Sequence, residues 1–459
     1  MKYFYLISYS VSGIKTLDHK ITLSFYKKTL SNFSDTQNYN IKGIYGMNGS
    51  GKSGIITSID ILKNILINPN YLNNPLAQKT LDELINKNTG ELYMEVEYVT
   101  SFNKNKSPLL YRYGVMISKD ISEKYVISNE ELSYRKSTSK SKSLNIIYKV
   151  VDGEIVQAED SANNFYNTIV MRTANLLSTG SMCSILCRKY LFLKDNDKSI
   201  IENSFLRSNI LLFSFGMQLH VYVDQPDDHR DYLMTNSFSN IEKANMAAQS
   251  DFAFTKYYLE LEESNVLNIL NITNNIIQKD LYEPFTKTIE QLYEFLHIFK
   301  SDLKNIEIDR KENKNLYICD LIMVYDTYKI HAEFESTGIK KLIRLFVYLR
   351  EMVHGGIVFI DEFDSNLHDV YLCALLEYMM EYGQGQLCFT THNVGPMDIL
   401  KRNKKSIDFL SIDHQIYPWT ANGNYSPSKL YKNGMIEGSP FNIDAIDFIG
   451  VFGNDEEEC

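Results

Sequence analysis

Long apolar runs are missing from this chain. Nowhere in its 459 residues do about 18 uncharged apolar residues follow one another, the length a helix needs to cross a bilayer. The opening Met1-Lys2-Tyr3-Phe4-Tyr5-Leu6-Ile7-Ser8 has the pattern of a strand and not the charged start, apolar middle and small-residue end of a secretory leader. The expectation is a cytoplasmic protein with no membrane contact. Cysteine is sparse. The six, at 183, 187, 319, 373, 388 and 459, include no C-x-x-C pair, which argues against a disulfide framework and against a zinc site. Cys183 and Cys187 fall one helical turn apart and read as buried thiols. Positive charge is not in excess either: 47 Lys and Arg against 57 Asp and Glu give a net charge of −10. That excludes a surface built for indiscriminate binding to DNA and leaves only local basic strips for nucleic acid. No fixed-period repeat and no long heptad run occurs.

What is present is the composition of a globular protein, 44% hydrophobic and 23% charged. The length exceeds one ordinary core, so a head with at least one further lobe is expected. The most informative segment is Gly46-Met47-Asn48-Gly49-Ser50-Gly51-Lys52-Ser53, which follows the apolar Ile41 to Tyr45 and leads into the helix-like Gly54 to Ile67. Strand, glycine-rich loop and helix in that order form a phosphate-binding loop. Its glycines let successive N–H groups point into one concavity, and the helix start adds its positive dipole end. Gly46, Asn48, Gly49, Ser50, Gly51, Lys52 and Ser53 are therefore the candidate nucleotide-binding residues, with Lys52 reaching the β- and γ-phosphates and Ser53 on Mg²⁺.

A second half of such a site lies far downstream. Ile357-Val358-Phe359-Ile360 is an apolar run closed by Asp361-Glu362, the pattern of a buried strand delivering carboxylates at its C-terminal edge. Asp361 is the candidate magnesium ligand, with Ser53, and Glu362 the candidate catalytic group that orients the attacking water. The next apolar run, Gln386 to Thr391, ends at His392, a candidate catalytic residue able to reach the γ-phosphate. Between the halves, Phe334-Glu335-Ser336-Thr337-Gly338-Ile339 turns into an amphipathic helix. Ser336 is a plausible N-cap; in the sharper reading, Ser336, Thr337 and Gly338 form a signature loop that meets the γ-phosphate held by a second subunit.

From Glu91 to Val156 the pattern is that of an antiparallel lobe of hairpins. One of its turns, Arg135 to Ser143, carries four positive charges and reads as a solvated loop or as a tip for an acidic partner. Residues from about 160 to 300, including Tyr257 to Ile277 and Leu281 to Ile298, have mostly helical periodicity. The acidic Asp224 to Asp231 within them, broken by Pro226, reads as a solvated loop before a metal site. From about Leu303 the chain returns to strands and then alternates helix and strand, which implies a parallel sheet covered by helices. The domains expected are 1–158, the N-terminal part of an ATPase head with the antiparallel lobe; 159–302, a helical arm or lid; and 303–459, the C-terminal part of the head.

The order of phosphate loop, signature, acidic strand and histidine strand resembles that of the ABC-type ATPases, which include the SMC, RecF and overcoming-lysogenization-defect heads. The chain is most similar to the bacterial abortive-infection group of AbiL and RloA type. That likeness rests on Leu110-Tyr111-Arg112-Tyr113-Gly114-Val115, on Glu335-Ser336-Thr337-Gly338-Ile339-Lys340-Lys341-Leu342, and on Ile360-Asp361-Glu362-Phe363-Asp364-Ser365-Asn366-Leu367-His368. The resemblance implies an α/β, ABC-type P-loop ATPase head: a mixed sheet covered by helices, an antiparallel β lobe and a helical insertion. It implies ATP and Mg²⁺ as cofactors and pairing of heads into a homodimer or higher homo-oligomer, with Asp364 to His368 crossing the interface. It also implies an antiphage role gating a separately encoded effector such as a nuclease. The stretch after His392 is mostly needed to finish the sheet and shows no TOPRIM-type acidic constellation; its aromatic, proline-rich Tyr417 to Asn442 reads as a cap or as a docking surface. The alternative is a DNA repair or recombination ATPase of SMC or RecF type, and contact with nucleic acid is left open. A transporter subunit fits poorly, because the large insertions are present and no glutamine loop can be placed.

Overall fold

The computed structural model describes residues 4–27, 30, 33–100, 108–138, 143–159, 173, 175–187, 204–223, 270–313, 316–420 and 425–439. Along the chain run β1 (Phe4–Ser12), β2 (Ile21–Ser24), β3 (Ile41–Gly46), α1 (Lys52–Ile67), α2 (Pro75–Leu84), β4 (Glu91–Thr100), β5 (Leu109–Lys119), β6 (Tyr125–Lys136), β7 (Asn145–Val151) and β8 (Glu154–Ala158). Next come α3 (Met182–Ile185), α4 (Ser204–Met217), β9 (Leu219–Tyr222), β10 (Asn275–Gln278), α5 (Tyr282–Phe299), β11 (Asn305–Asn313), β12 (Leu316–Val324) and β13 (Lys329–His331). The last are α6 (Thr337–His354), β14 (Ile357–Ile360), α7 (Asp369–Tyr382), β15 (Gln386–Thr390), α8 (Met397–Leu400), β16 (Ile407–Leu410), β17 (Ile416–Pro418) and α9 (Pro427–Lys432).

The sheet that carries the site has the order β17-β16-β3-β15-β14-β9. Its pairings are parallel except for β17. Strands β3, β14, β15 and β16 are buried at every position, because both faces are covered; β14 is accordingly a continuous apolar run, and none of the four shows the alternation of a strand with one wet face. The period-2 pleat sorts neighbouring side chains into two cores. Ile357 and Phe359 join the core that holds α1 and α4, whereas Val358 and Ile360 join the one that holds Leu372 and Leu376 of α7.

A seven-stranded antiparallel sheet, β2-β1-β4-β5-β6-β7-β8, forms the lobe. Helix α4 is buried almost throughout because it lies between α1 and this sheet; its Phe215 ring stacks on Tyr98 of β4 at 4.2 Å. A side chain of the head sheet ties it to the lobe sheet. Strand β1 shifts register between Leu6 and Ser8, and Gln386 of β15 accepts from the Leu6 N–H at 2.7 Å and donates to its carbonyl at 3.0 Å, satisfying backbone groups the bulge leaves without a ladder partner. A smaller sheet, β10-β12-β11 with β13 on β12, packs with α5 and α6 around a third core.

Within the 159–302 stretch, expected to be a mostly helical arm or lid, the described residues also include two strands. Leu219–Tyr222 is the edge strand of the head sheet, parallel to β14, and Asn275–Gln278 is a strand paired with β12, where helical periodicity had pointed to a helix ending at Ile277. Four buried residues in a row carry no periodicity that separates strand from helix. The expected helix from Leu281 is present as α5. The acidic Asp224 to Asp231 loop, most of the Tyr257 to Ile277 pattern and residues 440–459 lie outside the described residues. No helix among the described residues is long and apolar enough to cross a membrane.

Candidate nucleotide site

Strand β3 ends in Gly46, and the loop turns through left-handed Gly49 and Gly51, at φ 79° and 101°, a region open to glycine at no steric cost. At Gly46 the need is space: an added Cβ would stand 2.4 Å from the Leu410 carbonyl at the end of neighbouring β16. Helix α1 starts at Lys52 with no side-chain cap and no acidic residue in its first turn. Its first N–H groups and positive dipole end are thus answered by no protein carboxylate of that turn, which suits a bound anion. The buried Lys52 curls back so that Nζ donates to the carbonyls of Gly46 at 2.7 Å and Met47 at 2.9 Å. Burial pulls its pKa down to about 8, against the opposing pull of Asp361, Glu362 and Asp364. Three carboxylates remote in sequence therefore act on this one ammonium.

The register of β14 on β15, Ile360 opposite Phe389, sets Asp361 beside Thr390. Asp361 is 3% exposed; its N–H donates to the Tyr222 carbonyl of β9 at 2.8 Å, and its Oδ1 accepts from the Thr390 hydroxyl at 2.6 Å. Glu362 is exposed and has a left-handed backbone, φ 46°, uncommon for a residue with a side chain and a mark of functional sites. Its N–H donates to Thr390 Oγ1 at 2.8 Å. Lys341, buried on α6, donates to the Glu362 carbonyl and to the Ser365 hydroxyl.

Strand β15 continues into Thr391 and His392. The His392 N–H donates to Asp364 Oδ2 at 3.3 Å. Burial and then the Lys52 charge hold the imidazole below its ordinary pKa, against Asp364, Glu362 and Asp361, which favours the neutral ring. Ser336 does cap α6, its Oγ accepting from the Ile339 N–H at 3.4 Å, and with Thr337 it is exposed. Thr337 donates to Asn366 Oδ1 at 3.3 Å. A Cβ on Gly338 would lie 2.9 Å from the Asn366 carbonyl, so the close approach of the signature segment to the turn after β14 requires glycine there.

Within one chain, then, the loop Gly46 to Ser53, Asp361, Glu362 and His392 come together at the C-terminal ends of β3, β14 and β15. Ser336, Thr337 and Gly338 stand beside the Glu362 to Asn366 turn on α6. Thr390, Lys341 and Asp364 belong to the site although no role follows for them from sequence spacing. The one signal available was Lys341 itself, a charge among the apolar Ile339, Leu342 and Ile343 where α6 is buried.

The residues present fit a magnesium nucleotide. Glycines open the loop, an uncapped helix start and an ammonium face the anion, and a hydrogen-bonded carboxylate and the Ser53 hydroxyl suit a hard cation. Among the described residues no cluster of three or more His, Cys, Asp and Glu forms a metal cage. A magnesium ion would therefore draw most of its shell from phosphate oxygens and water, its usual habit in such sites.

This strand order and this site fit an ABC-like P-loop ATPase head. In agreement, residues 224–398 match the family described as "AAA domain, putative AbiEii toxin, Type IV TA system"; the matched stretch holds the signature segment, the acidic strand and His392 but not the phosphate loop. No curated protein matches the chain. Among solved structures it is similar to that described as "recombination mediator protein RecF-ATPrS in RecFOR pathway", at 12% identity and a TM-score of 0.38 over 91% of this chain and 99% of that one. At that score the likeness adds nothing to the fold, which rests on the strand order and the loop.

Proposed function

We propose that the protein is an ATP-hydrolysing switch of a bacterial antiphage, abortive-infection system: ATP closes two heads on each other, hydrolysis reopens them, and the cycle gates a separately encoded effector such as a nuclease. The observation that carries the ATPase reading is the strand order β3-β15-β14, all parallel, which brings the phosphate loop after β3 and Asp361-Glu362 after β14 to the same edge of the head sheet. Lys52 and the first N–H groups of α1 bind the phosphates. Ser53 and Asp361 would hold Mg²⁺, which would supply charge neutralisation on the phosphate oxygens. Glu362, exposed on its left-handed turn, orients and polarises the attacking water. The neutral His392 ring offers one donor toward the γ-phosphate.

Pairing of heads is supported by the exposure of Ser336 and Thr337: hydroxyls at a helix start are suited to a phosphate presented by a second copy. Lys341 ties that same helix to the Glu362 turn, so pressure on the signature has a physical route to the catalytic carboxylate. The defence role is supported by the abortive-infection motifs and by the toxin-antitoxin wording of the matched family; it is a grafted function that the fold alone does not specify. A cytoplasmic setting belongs to the same proposal. The alternative, a repair ATPase of SMC or RecF type, separates on DNA. Turnover that purified protein raises several-fold on adding DNA alone favours repair, and turnover indifferent to DNA but responsive to a co-encoded protein favours the switch.

A further inference from the structure

We propose that Thr390 is a positioning residue for this site: through one hydroxyl and one carbonyl it fixes the Asp361 carboxylate and the Glu362 backbone together, and productive use of Mg²⁺ depends on it. The inference rests on the reading of Asp361 as the magnesium carboxylate and Glu362 as the water-orienting group.

A threonine hydroxyl has one proton and two lone pairs. The Glu362 N–H can only donate, so at 2.8 Å Thr390 Oγ1 accepts there. Its single proton is then committed to Asp361 Oδ1, 2.6 Å away. The chain of donation runs one way, from the Glu362 amide through the hydroxyl to the carboxylate, and each bond polarises the next. With Thr390 1% exposed and Asp361 3% exposed, water does not replace the hydroxyl. The bond to a buried charge is of the strong kind.

Thr390 also shapes the turn that carries the Glu362 side chain. Its carbonyl accepts from the Phe363 N–H at 3.0 Å, so two successive amides, those of Glu362 and Phe363, are anchored to this one residue of β15. Together with Lys341 on the Glu362 carbonyl, they hold a left-handed conformation that a glutamate does not adopt unaided. β-Branching restricts χ1 of Thr390 and keeps its hydroxyl aimed. Neighbouring Thr391 does not duplicate the role, since its Oγ1 is taken by the Asn393 N–H at 2.9 Å.

The test compares wild type, Thr390→Val, which keeps shape and β-branching but loses the hydroxyl, and Thr390→Ser, which keeps the hydroxyl. ATP binding is titrated with and without Mg²⁺, and kcat and KM are measured across Mg²⁺ concentrations. We expect Mg²⁺-free ATP binding by Thr390→Val within about 3-fold of wild type. Its Mg²⁺ requirement rises and its kcat falls, each by about 10- to 100-fold, the loss expected for a buried hydrogen bond to a charge. Thr390→Ser recovers to within about 3-fold on both. A role confined to packing would lower the melting temperature and leave the Mg²⁺ requirement alone. Wild-type Mg²⁺ dependence and kcat in Thr390→Val, or equal impairment in Thr390→Ser, overturns the assignment while leaving the ATPase reading intact. Wild-type protein that binds ATP no better with Mg²⁺ overturns the site reading and this assignment with it. If Thr390→Val does not fold, Thr390→Ala carries the same comparison.

Discussion

Glu130 shows how much a single buried group governs away from the nucleotide. It is fully buried on β6, where Oε1 accepts from the hydroxyls of Tyr113 at 3.1 Å and Tyr148 at 2.8 Å, and both oxygens accept from the Met182 N–H at 3.1 Å. These bonds favour the carboxylate, yet burial outweighs them and lifts the pKa from 4.5 to about 7. The folded protein therefore holds a proton that the unfolded chain has released between those values, so stability from this group falls as pH rises from about 4.5 through about 7. At about 1.4 kcal/mol per unit the loss is on the order of 3 kcal/mol. Glu130→Gln has no charge to bury. Its melting temperature relative to wild type should climb between about pH 5 and pH 8, and a pH-independent gap would show that Glu130 does not titrate as argued. The residues that sequence revealed best were those whose chemistry is local. The phosphate loop needs glycine, lysine and serine at fixed spacing, and the spacing is visible. Thr390 and Lys341 were invisible in role because their partners lie 29 and 21 residues away and are set by strand register and helix packing.

At the scale of elements, β3 is the strand on which the site depends, because it ends in the phosphate loop. It carries a fully buried ion pair with its neighbour β16: Lys42 Nζ and Asp408 Oδ2 are 2.6 Å apart, with side chains 1% and 3% exposed. Such a pair contributes little net stability against an apolar replacement, but breaking it on one side strands a charge. Asp408→Ala should cost about 3–5 kcal/mol in chemical denaturation, and the double change Lys42→Met with Asp408→Leu should recover most of it. A small loss in the single variant would mean that water or a rearranged Lys42 satisfies the ammonium. Strands β14 and β15 were legible as apolar runs and the lobe as alternation, since those patterns follow directly from two-sided and one-sided burial. Strand β9 was not. Leu219-His220-Val221-Tyr222 is too short to show a period, and it reaches the head sheet through pairing with β14, a contact of more than a hundred residues' separation.

For the whole molecule, the distribution of surfaces sets the expected behaviour. The signature hydroxyls are exposed at the start of α6, while the phosphate loop and acids gather at the strand ends; in the proposed function one chain holds its own nucleotide and offers a second surface to another copy. ATP should therefore shift wild-type protein from monomer to dimer, or to a multiple of the starting assembly, in light scattering. Gly338→Ala should weaken that shift without removing ATP binding, since the added methyl displaces the signature from the Asn366 turn. Loss of ATP binding in that variant, or no ATP-dependent change of mass in wild type, would contradict the pairing. The class of head was legible because its chemistry repeats at separated points along the chain; the identity of the proposed effector was not, because partner choice resides in surfaces that no spacing rule describes.

The central claim is that Lys52, Asp361 and Glu362 share one magnesium-bound triphosphate, and the most direct measurement is single-turnover ATP hydrolysis alongside nucleotide retention in wild type, Lys52→Ala and Glu362→Gln. The account predicts hydrolysis by wild type and no retained nucleotide in Lys52→Ala. It predicts ATP held uncleaved by Glu362→Gln, with turnover lowered by about 100-fold or more. Wild-type turnover in either variant would contradict it.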